Sequence, residues 1–228
     1  MGPVTAYLLK SPKGCILVDA GCKGNEQRFF DYLRKLGISP SEINLIIITH
    51  VHFDHVGGLA LIKERCRCPV AVHINEAALL KEARIAVPPP TNSVRRMFSS
   101  VSRKLVSIDR SFTSVEPEIL ISKELLLDDF GFNGVVLFTP GHTRGSVSVL
   151  LRSGEAFIGD LASSFPFQSM FPYAEEPEQV LESWKKIIDF GCRTIFPSHG
   201  NSFPVEKLSK EYDKQMLRHG TQAKCVRS

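Results

Sequence analysis

The chain lacks any apolar run close to the roughly 20 residues that cross a bilayer as a helix, so no membrane span is expected. It also lacks a strong charge excess: 28 Lys and Arg against 24 Asp and Glu leave a formal net charge of +4. That is too mild for a nucleic-acid or anionic-membrane binder, which concentrates its basic residues in a patch. No secretory leader is read at the N-terminus, which enters the strand-like VTAYLLK almost at once. The six cysteines (Cys15, Cys22, Cys66, Cys68, Cys192, Cys225) therefore read as reduced thiols of a cytoplasmic protein, not as a disulfide framework. Cys66 and Cys68 could pair as thiols, but an ordinary helix-to-strand turn is the plainer reading. No internal repeat is visible. At 228 residues, 43% hydrophobic, the chain has enough material for one soluble domain with a substantial core.

What the chain does have is clustered histidine. Five of its seven histidines fall in three short segments: His50, His52 and His55 in THVHFDHVGG, His142 in TPGHTRGS and His199 in FPSHGN. Asp54 lies inside the first segment, and Asp160 closes the run AFIGD between the other two. Neutral imidazoles and carboxylates are the donors that borderline divalent cations prefer. In extended backbone, side chains at i and i+2 project to one side, so His50 and His52 can share an ion. Asp54 and His55 follow as the chain turns into Gly57-Gly58, where the absence of β-carbons relieves a tight bend. With this composition H-x-H-x-D-H arises by chance with a probability on the order of 10⁻⁴ to 10⁻³, so scattered structural histidines are a poor explanation. His73 and His219 stand outside every motif and read as structural or exposed.

The pattern along the chain alternates strands and helices. A hairpin opens it, with VTAYLLK and CILVD joined by a turn at 11–14. Apolar residues at 29, 30, 33 and 36 have a helical period that stops at Gly37. LIIIT is a continuous apolar, β-branched run, typical of a strand covered on both faces. A helix from about Leu59 to Glu64 and a strand over 70–72 follow. GVVLFTP, SVSVLL and AFIGD read as strands, residues 177–189 as a helix and TIFPS as a strand. The candidate ligands thus sit at or just past strand ends, where α/β sheets usually build their sites. Pattern alone carries this to an α/β protein with mixed sheet.

At the histidine motifs the sequence resembles the metallo-β-lactamase superfamily. H-x-H-x-D-H at 50–55, GHTRGS around His142, GD at 159–160 and SHG around His199 are similar to its metal motifs, in the same order. ILVDAG at 16–21 resembles its early strand, which carries an Asp, here Asp19, behind the metal site. The resemblance covers Val4 to about His199. It implies an α/β fold of the αββα four-layer sandwich type, with two mixed β-sheets and external helices. It further implies two divalent metal ions, zinc first, with Fe or Mn as alternatives. His50, His52 and His142 would hold one, and Asp54, His55 and His199 the other, with Asp160 bridging. A His at position 52 argues against the di-iron flavoprotein branch, and the bridging Asp160 argues against the true β-lactamases. The binuclear branches resembling glyoxalase II and the lactonases remain, together with persulfide dioxygenases and nucleases.

Two stretches depart from the alternation. Residues 74–121 read as a helical insertion, broken at Pro88-Pro89-Pro90, that could lid the site with Arg95, Arg96, Arg103 and Lys104 facing an anionic substrate. A solvated helix face is the plainer reading of those charges. SSFPFQSMFPY at 163–173 brings aromatics and Met170 soon after Asp160, as either a pocket wall or core. The expectation is a single domain over 1–228 that hydrolyses a small ester, thioester or lactone, with Asp54 orienting the nucleophile. The alternatives are a mononuclear iron oxygenase resembling persulfide dioxygenase and a phosphodiesterase of the same fold. The expected partner is a small-molecule substrate, with no nucleic acid and no membrane. A homo-oligomer is compatible with the chain. Only a short tail, 205–228, follows the last motif, which argues against glutathione thioesters.

Overall fold

Strands that are apolar on both faces need cover on both sides, and here successive residues alternate between two different cores. In the computed structural model, which describes residues 4–85, 111–164 and 173–225, β2 (Gly14–Val18) sends Cys15 and Leu17 one way and Ile16 and Val18 the other. β3 (Ile43–Ile47) does the same, with Ile46 on the first side and Leu45 and Ile47 on the second. These two strands lie inside a five-stranded sheet ordered β1 (Tyr7–Ser11), β2, β3, β4 (Val70–His73), β5 (Ile119–Ile121). The β1–β2 pair is antiparallel and the remaining pairs are parallel. A six-stranded sheet runs β11 (Phe203–Pro204), β10 (Thr194–Phe196), β9 (Glu155–Phe157), β8 (Val147–Leu151), β7 (Gly134–Phe138), β6 (Glu124–Leu126). It is antiparallel except between β9 and β10.

One core fills the space between the sheets, joining Ile16, Val18, Leu45 and Ile47 to Val136, Val147, Val149 and Phe157. The outer face of the first sheet is covered by α1 (Glu26–Lys35), α3 (Leu59–Cys66) and α4 (Ile74–Lys81), through Phe29, Phe30, Leu33, Leu59, Ile62, Ala77 and Leu80. The outer face of the second is covered by α5 (Pro177–Asp189), with Val180, Leu181, Trp184 and Ile187, and by Leu208 of α6 (Val205–Cys225). The layer order is helix, sheet, sheet, helix, the αββα sandwich implied by the resemblance.

Most elements fall where periodicity puts them, and two differ. The tail after the last motif is a 21-residue helix, α6, laid against the second sheet through Leu208. Both described ends of the 74–121 stretch belong to the first layer. Residues 74–81 form α4 on the first core, Phe112 and Val115 return to that core, and β5 pairs with β4 as the outermost strand. Helical spacing alone cannot say which layer a helix belongs to. The triple proline and the four cations at 95–104 lie outside the described residues. His73 is structural: its Nδ1 accepts the Asn75 N–H at 3.2 Å and caps α4, while its ring stacks on Phe138.

The chain's single tryptophan, Trp184, is fully buried and donates its indole N–H to the Leu161 carbonyl at 3.0 Å, one residue beyond Asp160. Trp184→Phe removes that donor and leaves a buried carbonyl unpaired, an expected loss of about 1–3 kcal/mol. Urea unfolding followed by circular dichroism measures it, and a loss below about 0.5 kcal/mol would show that the bond contributes nothing net.

Candidate metal centre

β3 ends at Ile47, and an irregular stretch carries the chain to His52, which is still extended (φ −116°, ψ 153°) before α2 (Phe53–Val56) makes one turn. His142 follows β7, Asp160 follows β9 and His199 follows β10, each after a few residues. Gly57 is helical (φ −57°), and its need for glycine is close approach, since a β-carbon there would lie 2.2 Å from the Lys23 nitrogen. The loop after β2 is thereby locked to the motif, with the Ala20 N–H donating to the His55 carbonyl at 2.7 Å.

These strand ends bring all seven side chains together in two adjoining groups. His50, His52, His142 and Asp160 form one, and Asp54, His55 and His199 the other, with the ligand atoms of each group within 4.8 Å of one another. His52 Nδ1 lies 2.9 Å from His50 Nε2 and 3.2 Å from His142 Nε2. Ring nitrogens this close repel through their lone pairs unless a proton or cation lies among them. Asp160 faces both groups. Its Oδ2 is 3.5 Å from His142 Nε2 and 3.9 Å from His50 Nε2, while its Oδ1 is 3.4 Å from His55 Nε2 and 3.5 Å from His199 Nε2. Asp54 Oδ2 lies 3.4 Å from His199 Nε2.

Outer partners fix which nitrogen each ring presents. His142 Nδ1 donates to the Tyr173 carbonyl at 2.8 Å and His55 Nδ1 to Asp19 Oδ2 at 2.8 Å. His50 Nδ1 meets the Thr49 hydroxyl at 3.1 Å, and that hydroxyl donates onward to Asp19. In the neutral form of each ring the outer nitrogen keeps the proton, so Nε2 is the atom that faces inward and can offer a lone pair once any second proton leaves, as a metal requires. His55 Nε2 and Asp160 Oδ1 are buried and make no hydrogen bond, orphaned polar atoms that a cation between them would satisfy. Five imidazoles and two carboxylates are a donor set suited to divalent cations.

The sequence matches the metallo-beta-lactamase superfamily over residues 1–199. The chain belongs to the metallo-β-lactamase superfamily. It is 31% identical over 164 residues to a probable metallo-hydrolase of Bacillus subtilis, covering 71% of this chain and 68% of that protein. It is 26% identical over 229 residues to the acyl-coenzyme A thioesterase MBLAC2 of Gallus gallus, covering 89% of this chain and 74% of that protein. For several curated relatives the chain spans under two thirds of their length, 56% in one case. Among solved structures, the B3 metallo-β-lactamase BLEG-1 superposes with a TM-score of 0.66 at 22% identity, covering 89% of this chain and 90% of that one, a likeness of fold.

The two groups gather the seven residues that the motifs single out. Asp19 lies behind them, its carboxylate also accepting the Thr49 N–H at 2.8 Å and the Ser198 hydroxyl at 3.3 Å. Reading by motif misses three residues that shape this superfamily site: Thr49, Ser198 and the buried Glu76. Thr49 and Ser198 each precede a motif histidine, and nothing in their spacing marks them. Glu76 leaves a trace, since it is a carboxylate four residues before the buried Leu80 on one helix face. The run 163–173 lies mostly outside the described residues, as does the His219 side chain.

Burial holds the His50, His52 and His142 pKa values below the usual imidazole range; neighbouring imidazoles reinforce it at His50 and His52, while Asp160 and the Tyr173 carbonyl oppose it at His142. Burial acts the same way on His55, but Asp19, with Asp160 and Asp54, outweighs it and raises that pKa well above the usual value. His199 is raised despite burial by its bond to Asp54 and by Asp160. Asp54 and Asp160 sit low although burial opposes it, chiefly because of His55. For the metal-free protein the signs follow from linkage. Below about pH 6.5 the unfolded chain protonates His50, His52 and His142 while the fold resists, so stability falls as pH drops. Above that pH the protons on His55 and His199 stabilise the fold until pH passes their raised pKa values, so stability falls again as pH rises. The expected profile in chelator has a maximum near pH 6.5, each histidine contributing up to about 1.4 kcal/mol per pH unit. Urea midpoints at pH 5, 6.5 and 8 test it, and a flat profile between 5 and 6.5 would contradict the buried neutral imidazoles.

Proposed function

We propose that the chain is a binuclear metal-dependent hydrolase, zinc-loaded, acting on a small ester, thioester or lactone. The observation that carries this is the division of Asp160, one oxygen toward each group of donors. His50, His52 and His142 would hold one cation, Asp54, His55 and His199 the other, and Asp160 would touch both. Two cations so held would lower the pKa of a shared water from 15.7 to near 7 and polarise an acyl carbonyl oxygen.

The chain's own residues supply orientation and proton handling. The Asp54 side chain is 13% exposed, and its low pKa keeps it an ionised acceptor at neutral pH. From there it orients the attacking water, takes its proton and passes it to the leaving group. The water oxygen bonds to the acyl carbon, the acyl–oxygen or acyl–sulfur bond breaks, and the proton departs on the alcohol or thiol. Asp19, fixing both Thr49 and the His55 ring, keeps the donors aimed while charge moves.

An acyl substrate is favoured over nucleic acid on two grounds. The apolar run 163–173 abuts the donors at both described ends: the Ser164 N–H donates to the His199 carbonyl at 3.3 Å, and the Tyr173 carbonyl accepts from His142. The avian relative is named an acyl-coenzyme A thioesterase, which brings thioesters into the substrate panel. The partner is a small molecule. Among the described residues no helix is long and apolar enough to cross a membrane.

Protein purified without added metal is expected to contain about two zinc ions per chain by mass spectrometry and to hydrolyse members of an acyl ester, thioester and lactone panel. A single iron with oxygen consumption would replace this reading with the mononuclear oxygenase. Asp160→Asn is expected to lower kcat/KM by more than about 100-fold, with loss of bound metal. Near-normal turnover with two metals retained would remove Asp160 from the mechanism.

A further inference from the structure

Glu76 is a buried carboxylate for which the proposed chemistry has no use. It lies in the first turn of α4, 2% exposed, on the face that also buries Leu80, whereas glutamates rarely leave the surface unpaired. Its Oε2 accepts the N–H of Val51 at 2.8 Å, and Val51 is the residue between His50 and His52. Across from it stand the Gly145 N–H and the Thr143 hydroxyl, in the loop that carries His142. A β-carbon on Gly145 would lie 2.4 Å from Glu76 Cγ and 2.8 Å from its Oε1, so the carboxylate is seated against bare backbone that only glycine provides. The adjacent Asn75 donates its side-chain amide to the Arg144 carbonyl at 3.0 Å. The start of α4 therefore grips two loops, and those loops carry all three histidines of one group. The other group has an anchor independent of Glu76, since Asp19 binds His55 and the residue before His199; Asp19 also binds Thr49 beside His50, but it does not reach the His142 loop among the bonds described.

We propose that Glu76 is a positioning residue: it sets the spacing of the His50/His52 loop from the His142 loop, and thereby the affinity of that one position for its cation. The inference rests on the binuclear reading. Removing Glu76 leaves the Val51 N–H without its acceptor and frees one loop from the other, while the Asp54–His55–His199 position keeps its own support. Partners one layer behind metal ligands typically tune affinity by about 10- to 100-fold.

The test is a cobalt(II) titration of metal-free protein, read by calorimetry and by the visible cobalt absorption. Glu76→Ala is compared with Glu76→Gln, in which the amide oxygen still accepts one N–H. Each change is made in the otherwise unaltered chain and again with His199→Ala, which leaves the first position, or with His52→Ala, which leaves the second. The expected result is a 10- to 100-fold loss for Glu76→Ala in the His199→Ala background, under threefold in the His52→Ala background, and substantial recovery with Glu76→Gln. Glu118→Gln serves as the control: Glu118 also accepts a backbone N–H, from Val70 at 2.9 Å, but at the far end of β4, and both cobalt affinities should stay within threefold. Equal losses at both positions, no loss at either, or failure of both Glu76 variants to fold would overturn the assignment. One cobalt ion bound by the unaltered chain would instead sink the binuclear reading, and the His199→Ala comparison would still decide the role of Glu76.

Discussion

The structure around the metal centre depends on one buried carboxylate. Asp19 is 1% exposed and adopts a left-handed backbone (φ +62°), a conformation that aspartate tolerates better than most residues. A carboxylate withdrawn from water is costly unless hydrogen bonds take up its lone pairs. Here the donors come from the Thr49 N–H and hydroxyl, the His55 ring and the Ser198 hydroxyl, three points on two segments far apart in sequence. One segment leaves β3 of the first sheet and the other leaves β10 of the second, so Asp19 ties the two sheets together beneath the site. Its placement follows from register. Val18 is paired with Ile47, and the next residue then bonds through its N–H to the Ile47 carbonyl with its side chain beside Thr49.

The sandwich turns that tie into a rigid mount. Strand ends are fixed by the core between the sheets, where Ile16, Leu45, Val136 and Val149 leave no freedom to slide. The irregular stretches beyond them need only short reach to converge. Without metal, Asp19, Asp54 and Asp160 favour the protonated forms of His55 and His199, while burial favours the neutral forms of the other three motif imidazoles. Any cation held by these side chains would have to displace such protons, so metal affinity here depends on pH.

Much of the fold and of the donor set was legible in the chain. LIIIT reads as a strand with two covered faces because its residues feed two cores, and α5 reads correctly because Val180, Leu181, Trp184 and Ile187 keep a helical period. The seven donors are legible because metal chemistry restricts residue type so tightly. α6 was missed because its apolar face is short: Val205, Leu208 and Tyr212 pack on the second core, and the rest of the described face is mostly polar and charged. The assignment of α4 to the first layer was missed for a related reason: Ala77 and Leu80 show that one face is buried, and only the tertiary structure shows against what.

Supporting residues are a different case from supporting elements. Thr49, Ser198 and Glu76 shape the centre without touching its middle, and their types are not dictated by coordination chemistry. Glu76 nonetheless carries a sign of its role, because a carboxylate on the apolar face of a helix contradicts the local pattern. Natural chains keep such conflicts where a tertiary partner resolves them, often near a functional site. Here the partner is the backbone of two donor loops. A charged residue at a core position of a helix, next to an otherwise recognisable metal motif, is therefore a signal that hydrophobic periodicity discards and that hydrogen-bond accounting restores.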